Sequence, residues 1–163
     1  MSSFATDKQL EQDFAPHVTV ATVVERDGRF LFVEELSHGK RVINQPAGHL
    51  EAGESLVEAA VRETLEETRW HVSVEAILGL GLYRSPANGV TYQRTTFIAS
   101  PLREDDRAVL DSGIIRPLWL TADELEQRAG ELRSPMVVDC VRRYLAGHRY
   151  PLSLLNDAGN LAP

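Results

Sequence analysis

The stretch that most constrains the fold of this chain spans residues 48–70, where a loop containing glycine precedes a segment free of glycine and proline. Ser55 stands three residues before Glu58, and this pair is a capping box typical of a helix N-terminus. The segment that follows predicts a helix of about three turns. Backbone groups of a loop with several glycines can approach a bound ligand closely. The residues expected to face the core are Val57, Val61, Thr64, Leu65 and Thr68.

Three glutamates of this predicted helix share one face. Glu63, Glu66 and Glu67 are spaced i, i+3 and i+4, so they fall within one narrow arc. Like charges at this spacing destabilise an exposed helix by about 0.2–0.5 kcal/mol for each pair. A divalent cation would remove that repulsion, since Mg²⁺ prefers oxygen ligands. Taken alone, such a cluster is more often a solvated acidic face.

The whole segment resembles the Nudix box, whose pattern is G-x5-E-x7-R-E-U-x-E-E-x-G-U, with U an apolar residue. Two positions depart from the pattern, because Thr64 replaces an apolar residue and Arg69 replaces the glycine that normally ends the helix. Arginine is disfavoured in the left-handed conformation of a C-cap, so the pattern does not fix where the helix ends. The matching positions are Gly48, Glu54, Arg62, Glu63, Glu66, Glu67 and Trp70.

The resemblance extends over most of residues 16–152 to the NudJ-type branch of bacterial Nudix phosphatases. The segments that carry it are PHVTVATVV at 16–24, NQPAGHLEA at 44–52, LRSP at 132–135 and RYPL at 149–152. Ile43 stands where many relatives carry an aromatic residue, so no ring stacking is inferred there. The resemblance implies an α/β/α sandwich with a mixed sheet.

Patterns outside the box independently predict an α/β or α+β fold. Asp27-Gly28 separates two runs rich in β-branched and aromatic residues, which is a hairpin signal, and residues 37–40 form a second predicted turn. Gly79 and Gly81 indicate a bulge or bend in a later strand. Several strands with one intervening helix and two final helices suggest a mixed sheet covered by helices.

Two short helices are predicted near the C-terminus. Thr121 with Glu124 forms a capping box, and Ser134 is the expected cap of a last helix that Gly147 closes. We expect residues 1–15 to form an N-terminal arm, residues 16–152 a single domain, and residues 153–163 a C-terminal tail. No internal repeat or linker divides the chain.

Composition excludes several classes of function. The net charge of −7 argues against general nucleic-acid binding, which needs basic surface. Cys140 is the only cysteine, so an intrachain disulfide is impossible, and we expect it to fill the core. No secretory signal or membrane-spanning apolar run is present, which favours a cytoplasmic protein without membrane partners. Either a monomer or a homodimer is compatible with the sequence.

The Nudix resemblance implies hydrolysis of phosphorylated small molecules with Mg²⁺ as cofactor, for which Mn²⁺ can substitute. It implies that Glu63 or Glu67 also serves as general base, although in some family members a loop outside the box supplies it. Arg62 would orient the acidic residues by pairing with Glu54 or with a helix glutamate. The implied metal ligands are Glu63, Glu66, Glu67 and the backbone carbonyl of Gly48.

Substrate choice is less constrained by the sequence. The NudJ-type resemblance implies action on nucleoside tri- and diphosphates, and on thiamine-pathway pyrophosphates, with release of inorganic phosphate. Pro86 lies near a position that marks ADP-ribose pyrophosphatases, so ADP-sugar cleavage is the enzymatic alternative. A nucleotide-binding sensor without activity is the alternative of another class, although such domains commonly lack box glutamates. Arg84 and Arg94 are candidate contacts for distal phosphates.

Two further segments have open interpretations. Residues 91–100 predict a strand whose mixed polar and aromatic face, with Tyr92 and Arg94, either lines a pocket or, more commonly, faces solvent. The loop at residues 101–113 is expected to serve mainly solubility, although one of its acids could add a metal ligand or base. These acids are Glu104, Asp105, Asp106 and Asp111.

Overall fold

The computed structural model of the chain describes residues 14–156. Most of the predicted arm at residues 1–15 and of the predicted tail at residues 153–163 lies outside this range. The strands are β1 (His17–Arg26), β2 (Arg29–Ser37), β3 (Lys40–Asn44), β4 (Ala47–His49), β5 (Trp70–Arg84), β6 (Thr91–Glu104) and β7 (Ile114–Leu120). The α-helices are α1 (Leu56–Thr68), α2 (Ala122–Gln127) and α3 (Met136–Leu145).

The seven strands form one mixed sheet. Its main path has the order β3-β2-β1-β6-β5, while β4 also pairs with β1 and β7 with β2. β1 and β6 run parallel, and the other pairs are antiparallel. The register of β5 against β6 shifts between Ile77 and Gly79, which confirms the predicted irregularity in this strand.

Tight turns join the first three strands where the sequence places them. Asp27 and Gly28 have φ angles of 53° and 76°, as a two-residue hairpin loop requires. His38 and Gly39 repeat this conformation, with φ angles of 50° and 75°. Both predicted turns are therefore confirmed.

Helices cover both faces of the sheet, which confirms the α/β/α sandwich. Val20 and Phe97 pack with Ala59 and Ala60 of α1, whereas Val23 and Ile98 belong to a core cluster with residues of α2 and α3. Side chains alternate between the faces of a strand, so both faces of the central strands are apolar. The more common interpretation of residues 91–100, a solvated strand face, is therefore wrong for residues 94–99, which are all buried.

The first helix begins and ends as the box pattern requires, despite its missing glycine. Ser55 and Glu58 form the predicted capping box. Arg69 follows the last helical residue with a φ of 64° and donates its N–H to the carbonyl of Leu65 at 2.8 Å. A left-handed arginine costs about 1–2 kcal/mol, and the surrounding packing holds it there.

The buried face of α1 differs from the predicted stripe. Ala59 and Ala60 are fully buried, whereas Val57, Val61 and Leu65 are only half-buried. Thr64 is buried as predicted, and its hydroxyl lies 2.8 Å from that of Thr22 on β1. Thr68 is also buried as predicted, so the inward face keeps part of the predicted stripe. It also includes Glu67 at one edge of the glutamate arc, whereas Glu63 and Glu66 are partly exposed.

The C-terminal helices follow the prediction with one exception. Thr121 and Glu124 form the predicted capping box of α2. Pro135 directly precedes α3 with no side-chain cap, so the expected capping by Ser134 is wrong. Cys140 is buried in the core as expected. Within residues 14–156, no helix combines the length and apolar character needed to span a membrane.

Candidate active site

A cavity of about 480 Å³ opens between α1, the start of β6 and the residues before α3. This volume falls in the range of pockets that hold small molecules. Its lining includes Gly48, Glu63 and Glu67 of the Nudix box, together with Arg94 and Arg133. The Nudix box and the middle strand of the sheet therefore meet at one site.

An acidic cluster brings α1 together with a distant loop. Glu63, Glu66 and Asp111 each place a carboxylate oxygen within 4.8 Å of the other two. The backbone N–H of Asp111 donates to the carbonyl of Glu66 at 3.0 Å, which fixes the loop against the helix. Three carboxylates at this spacing fit a hard divalent cation. Asp111 is thus placed beside the helix glutamates, although solubility was the preferred interpretation of its loop.

Gly48 is the point where β4 comes closest to α1. A side chain at this position would overlap the Glu63 carboxylate, because an added Cβ would penetrate its atoms. Only glycine allows the β4 backbone and this carboxylate to lie together. This close approach of the Gly48 backbone to the Glu63 carboxylate fits the implied metal site.

Glu67 occupies the most buried position of the acidic face. It is 8% exposed, and its carboxylate accepts a hydrogen bond from the N–H of Ala47 at 2.9 Å. Burial raises the pKa of Glu67 to about 8, because the charged form loses hydration. Burial also raises the pKa of Glu63. Glu67 is therefore poised to exchange a proton near neutral pH, and burial makes Glu63 harder to ionise.

Arg62 connects the acidic residues of the box. It binds Glu54 through two hydrogen bonds of 2.6 and 2.9 Å, and its Nη1 lies 2.8 Å from Glu63 and 3.0 Å from Glu66. Its Nη2 also donates to the His49 carbonyl at 3.0 Å. The hydrogen bonds that Arg62 donates to Glu54, Glu63 and Glu66 raise its pKa. One guanidinium thus offsets the repulsion among three carboxylates and holds them in place.

The two arginines considered for distal phosphates occupy different environments. Arg94 lines the cavity and is 7% exposed, and it donates to Oε1 of Gln45 at 3.2 Å. Burial lowers its pKa. Arg84 is exposed and is not among the lining residues, although its neighbours Tyr83 and Ser85 are. The structure therefore brings Arg94, but not Arg84, together with the box residues.

Other lining residues were not singled out from the sequence. Arg133 contacts the buried carboxylate of Glu35 at 2.7 Å, and its backbone N–H donates to the Ile43 carbonyl at 2.9 Å. Asn44 is 6% exposed, and its Oδ1 has no hydrogen-bond partner among residues 14–156. The segments 44–52 and 132–135, which carry the resemblance, contain Asn44 and Arg133 and were the available signal.

Aromatic rings surround the open side of the cavity. Nδ1 of His17 and Nε2 of His49 lie 3.2 Å apart, and the ring of Tyr92 lies 5.6 Å from that of His17. Burial and the neighbouring His17 lower the pKa of His49, which favours its neutral form. This group offers flat, weakly polar surface beside the acidic cluster.

Comparison with known proteins agrees with this geometry. Residues 13–140 match the NUDIX domain family. The chain is 42% identical over 144 residues to Phosphatase NudJ of Escherichia coli K12, covering 88% of this chain and 93% of that protein. The same figures hold for Phosphatase NudJ of Shigella flexneri. A NUDIX hydrolase from Nitrosomonas europaea superimposes with a TM-score of 0.85 at 43% identity, covering 87% of this chain and 97% of that one. This chain therefore belongs to the Nudix family and is a hydrolase of the NudJ type.

Proposed function

We propose that this hydrolase cleaves phosphoanhydride bonds of nucleoside tri- and diphosphates, with Mg²⁺ as cofactor, and releases inorganic phosphate. Thiamine-pathway pyrophosphates are a second substrate group of the same chemical class. The observation that carries the proposal is that Glu63 and Glu67 share one cavity with the buried Arg94. Such a cavity offers oxygen ligands for a cation and a cationic group for phosphate.

We assign the metal to the oxygen donors around α1. Glu63, Glu66 and Glu67, with the Gly48 carbonyl, are the proposed ligands, and Asp111 is a further candidate because it completes the acidic cluster. When bound, Mg²⁺, for which Mn²⁺ can substitute, neutralises phosphate charge and lowers the pKa of a coordinated water. The close approach of Glu63 to Gly48 supports this assignment.

Glu63 and Glu67 are the proposed proton acceptors. A general base works best when its pKa lies near the working pH, and Glu67 has a pKa of about 8. In the reaction, the water oxygen forms a bond to phosphorus while the bond from that phosphorus to the bridging oxygen breaks. The bridging oxygen keeps the electron pair, and one proton of the water passes through a carboxylate to solvent.

Arg62 and Glu54 complete the proposed machinery without contacting the substrate. The bidentate pairing of Arg62 with Glu54 fixes the guanidinium, which in turn orients Glu63 and Glu66. Arg94 is the preferred contact for a distal phosphate, and Arg84 stays a prediction. We therefore divide the site into residues that order the carboxylates and residues that meet the substrate.

The ADP-ribose alternative gains no support from the cavity. Pro86 is exposed and absent from the lining, whereas its neighbours Ser85 and Ala87 are present. The relatives with more than 40% identity carry the names phosphatase and hydrolase. We retain nucleoside phosphates as the proposed substrates.

The test is release of phosphate and pyrophosphate, with and without Mg²⁺, from nucleoside tri- and diphosphates, a thiamine-type pyrophosphate and ADP-ribose. We expect Mg²⁺-dependent release of inorganic phosphate from several nucleotides. Turnover of ADP-ribose alone would replace the proposal with the ADP-sugar alternative. Folded protein that releases nothing from any nucleotide would contradict it.

A further inference from the structure

We propose that the buried end of the cavity holds the terminal phosphate of the nucleotide, so that the base lies at the open mouth. This inference rests on the proposed hydrolysis of nucleotides and adds the orientation of the substrate. We call the buried lining residues the floor, and they are exposed by only 6–8%: Thr19, Glu35, Asn44, Glu67 and Arg94. We call the exposed lining residues the mouth: His38, His49, Glu51, Ala87, Asn88 and Arg133.

Arg94 carries a buried charge whose direct partner is neutral. Its one hydrogen bond within residues 14–156 goes to the amide oxygen of Gln45, and its Nε has no partner there. No carboxylate of the described chain lies within 4.0 Å of it. A buried guanidinium stays charged, and lacking an anion it is costly. An oxyanion bound at the floor would compensate this charge.

Arg133, the second arginine of the cavity, differs from Arg94 in its pairing and exposure. Arg133 is already paired with the carboxylate of Glu35 at 2.7 Å, and its side chain is 46% exposed. A phosphate entering the cavity therefore gains more from Arg94 than from Arg133, because Arg94 gives up no ion pair and is screened less by water. The dianionic end of a nucleotide, its terminal phosphate, is the group that best matches Arg94.

Asn44 supports the same assignment. Its side chain lies at the floor, and its buried Oδ1 has no hydrogen-bond partner among the described residues. An amide with an unpaired atom can turn its NH₂ toward an oxyanion without breaking an internal hydrogen bond. The floor thus supplies guanidinium and amide donors next to Glu67, which belongs to the proposed metal site.

The mouth has the character of a surface that tolerates different bases. Its members are exposed, and the rings of His49 and Tyr92 lie 6.2 Å apart beside it. Flat rings bind bases by contact of their faces, which discriminates weakly between bases. With the terminal phosphate at the floor, the outermost phosphoanhydride bond lies beside the acidic cluster. Free terminal phosphate is then required, whereas base identity matters little.

The experiment compares ATP with ATP whose terminal phosphate carries an alkyl ester, using the full chain and Mg²⁺. We expect kcat/KM for the ester to be about 10- to 100-fold lower than for ATP, since blocking removes charge-assisted hydrogen bonds at the floor. Arg94→Met should lower kcat/KM for ATP by a similar factor and abolish the preference for the free phosphate. Arg142→Met is the matched control, because Arg142 is 68% exposed on α3 and pairs with Glu126 at the surface.

Binding of inorganic phosphate tests the floor independently of turnover. The shift of Tm on adding phosphate is measured without metal, with potassium chloride of equal ionic strength as the reference. Phosphate should raise Tm of the wild type and Arg142→Met but not of Arg94→Met. If Arg94→Met does not fold, Arg94→Lys should show a weakened shift. Equal turnover of ATP and its ester, or an unchanged phosphate shift in Arg94→Met, would overturn the orientation and leave the hydrolysis intact. Failure of all nucleotides to react would instead contradict the proposed function, while the phosphate shift still decides the floor.

Discussion

Arg62 and Arg94 are two guanidinium groups of one site in opposite surroundings. Arg62 contacts Glu54, Glu63 and Glu66, and these contacts raise its pKa. Arg94 is more deeply buried, and within residues 14–156 its guanidinium hydrogen-bonds only to a neutral amide. Burial lowers the pKa of Arg94, although the charges of Glu67 and Glu35 act in the opposite direction. The guanidinium of Arg62 is paired with carboxylates of the protein, whereas the guanidinium of Arg94 has no carboxylate partner among the described residues.

This difference separates structural from substrate-binding roles. A guanidinium saturated by carboxylates has no hydrogen-bonding capacity left for phosphate, and its contribution is to hold those carboxylates together. A buried guanidinium without an anion reduces stability and gains from a bound oxyanion. Arg62 therefore belongs to the architecture of the acidic end, whereas Arg94 is available to the substrate.

The largest expected effect is a loss of activity on substitution of Glu67, which belongs to the acidic part of the site. Glu67→Gln keeps the shape of the side chain but removes a carboxylate ligand and a proton acceptor, so kcat should fall by at least about 100-fold. Steady-state phosphate release with Mg²⁺, together with circular dichroism to confirm folding, measures this. Near-normal activity in a folded Glu67→Gln protein would remove Glu67 from the proposed machinery.

The two arginines should differ in their effect on stability. Arg62→Met leaves partly buried carboxylates without their partner and should lower the free energy of unfolding by about 3 kcal/mol. Arg94→Met removes an uncompensated charge and should leave stability unchanged or raise it. Urea denaturation of both variants at pH 7 makes the comparison, and equal losses would show that Arg94 is as structural as Arg62.

Gly48 provides a test of the geometry at the acidic end. Gly48→Ala should displace the Glu63 carboxylate, because its Cβ would overlap that group. We expect kcat/KM to fall by about 10- to 100-fold, a loss of about 1.4–2.8 kcal/mol of transition-state stabilisation. Arg94-dependent binding of inorganic phosphate should persist in this variant. Loss of both properties would indicate that the two ends are not independent.

A further expected effect is a dependence of stability on pH. The folded-state pKa of Glu67, about 8, lies above the ordinary glutamate pKa of 4.5, so the folded protein binds the extra proton. The stability from this group is complete below about pH 4.5 and is lost as pH rises through 8. The slope reaches at most about 1.4 kcal/mol per pH unit.

Denaturation without metal, at several pH values between 5 and 9, measures this slope against Glu67→Gln, which cannot titrate at that position. The wild type should lose stability relative to the variant as pH rises. Addition of Mg²⁺ should reduce the difference, because a cation favours the ionised carboxylate. A constant difference between the two proteins at all pH values would show that Glu67 titrates normally.

Local signals explain most of what the sequence predicted about the fold. The Ser55–Glu58 capping box and the Asp27-Gly28 turn depend on a few neighbouring residues, and both are present in the structure. The burial of both faces of β6 was not predictable from its polar residues, because it arises from helices that pack on opposite sides of the sheet. Propensity describes a segment, whereas burial depends on its neighbours in space.

The candidate site, like the fold, could be predicted from the sequence only in part. Spacing along one helix placed Glu63, Glu66 and Glu67 on a common arc. It did not indicate that Glu67 is buried. Asp111 joins them from a loop between β6 and β7, and no local pattern distinguishes it from the other acids of that loop. The pairing of Arg94 on β6 with Gln45, which lies between β3 and β4, likewise has no signature in either segment.

The parallel pairing of β1 with β6 has a consequence for how the protein forms. Residues 17–24 pair with residues 92–99, so the two central strands are separated by the whole Nudix box and by β5. Contacts between distant parts of a chain form late and slow folding, because the intervening chain must first be ordered. A ribosome-bound chain that has emerged only as far as Trp70 contains every residue of the box but lacks the strand that completes the central sheet. We therefore expect no catalytic competence before β6 docks beside β1.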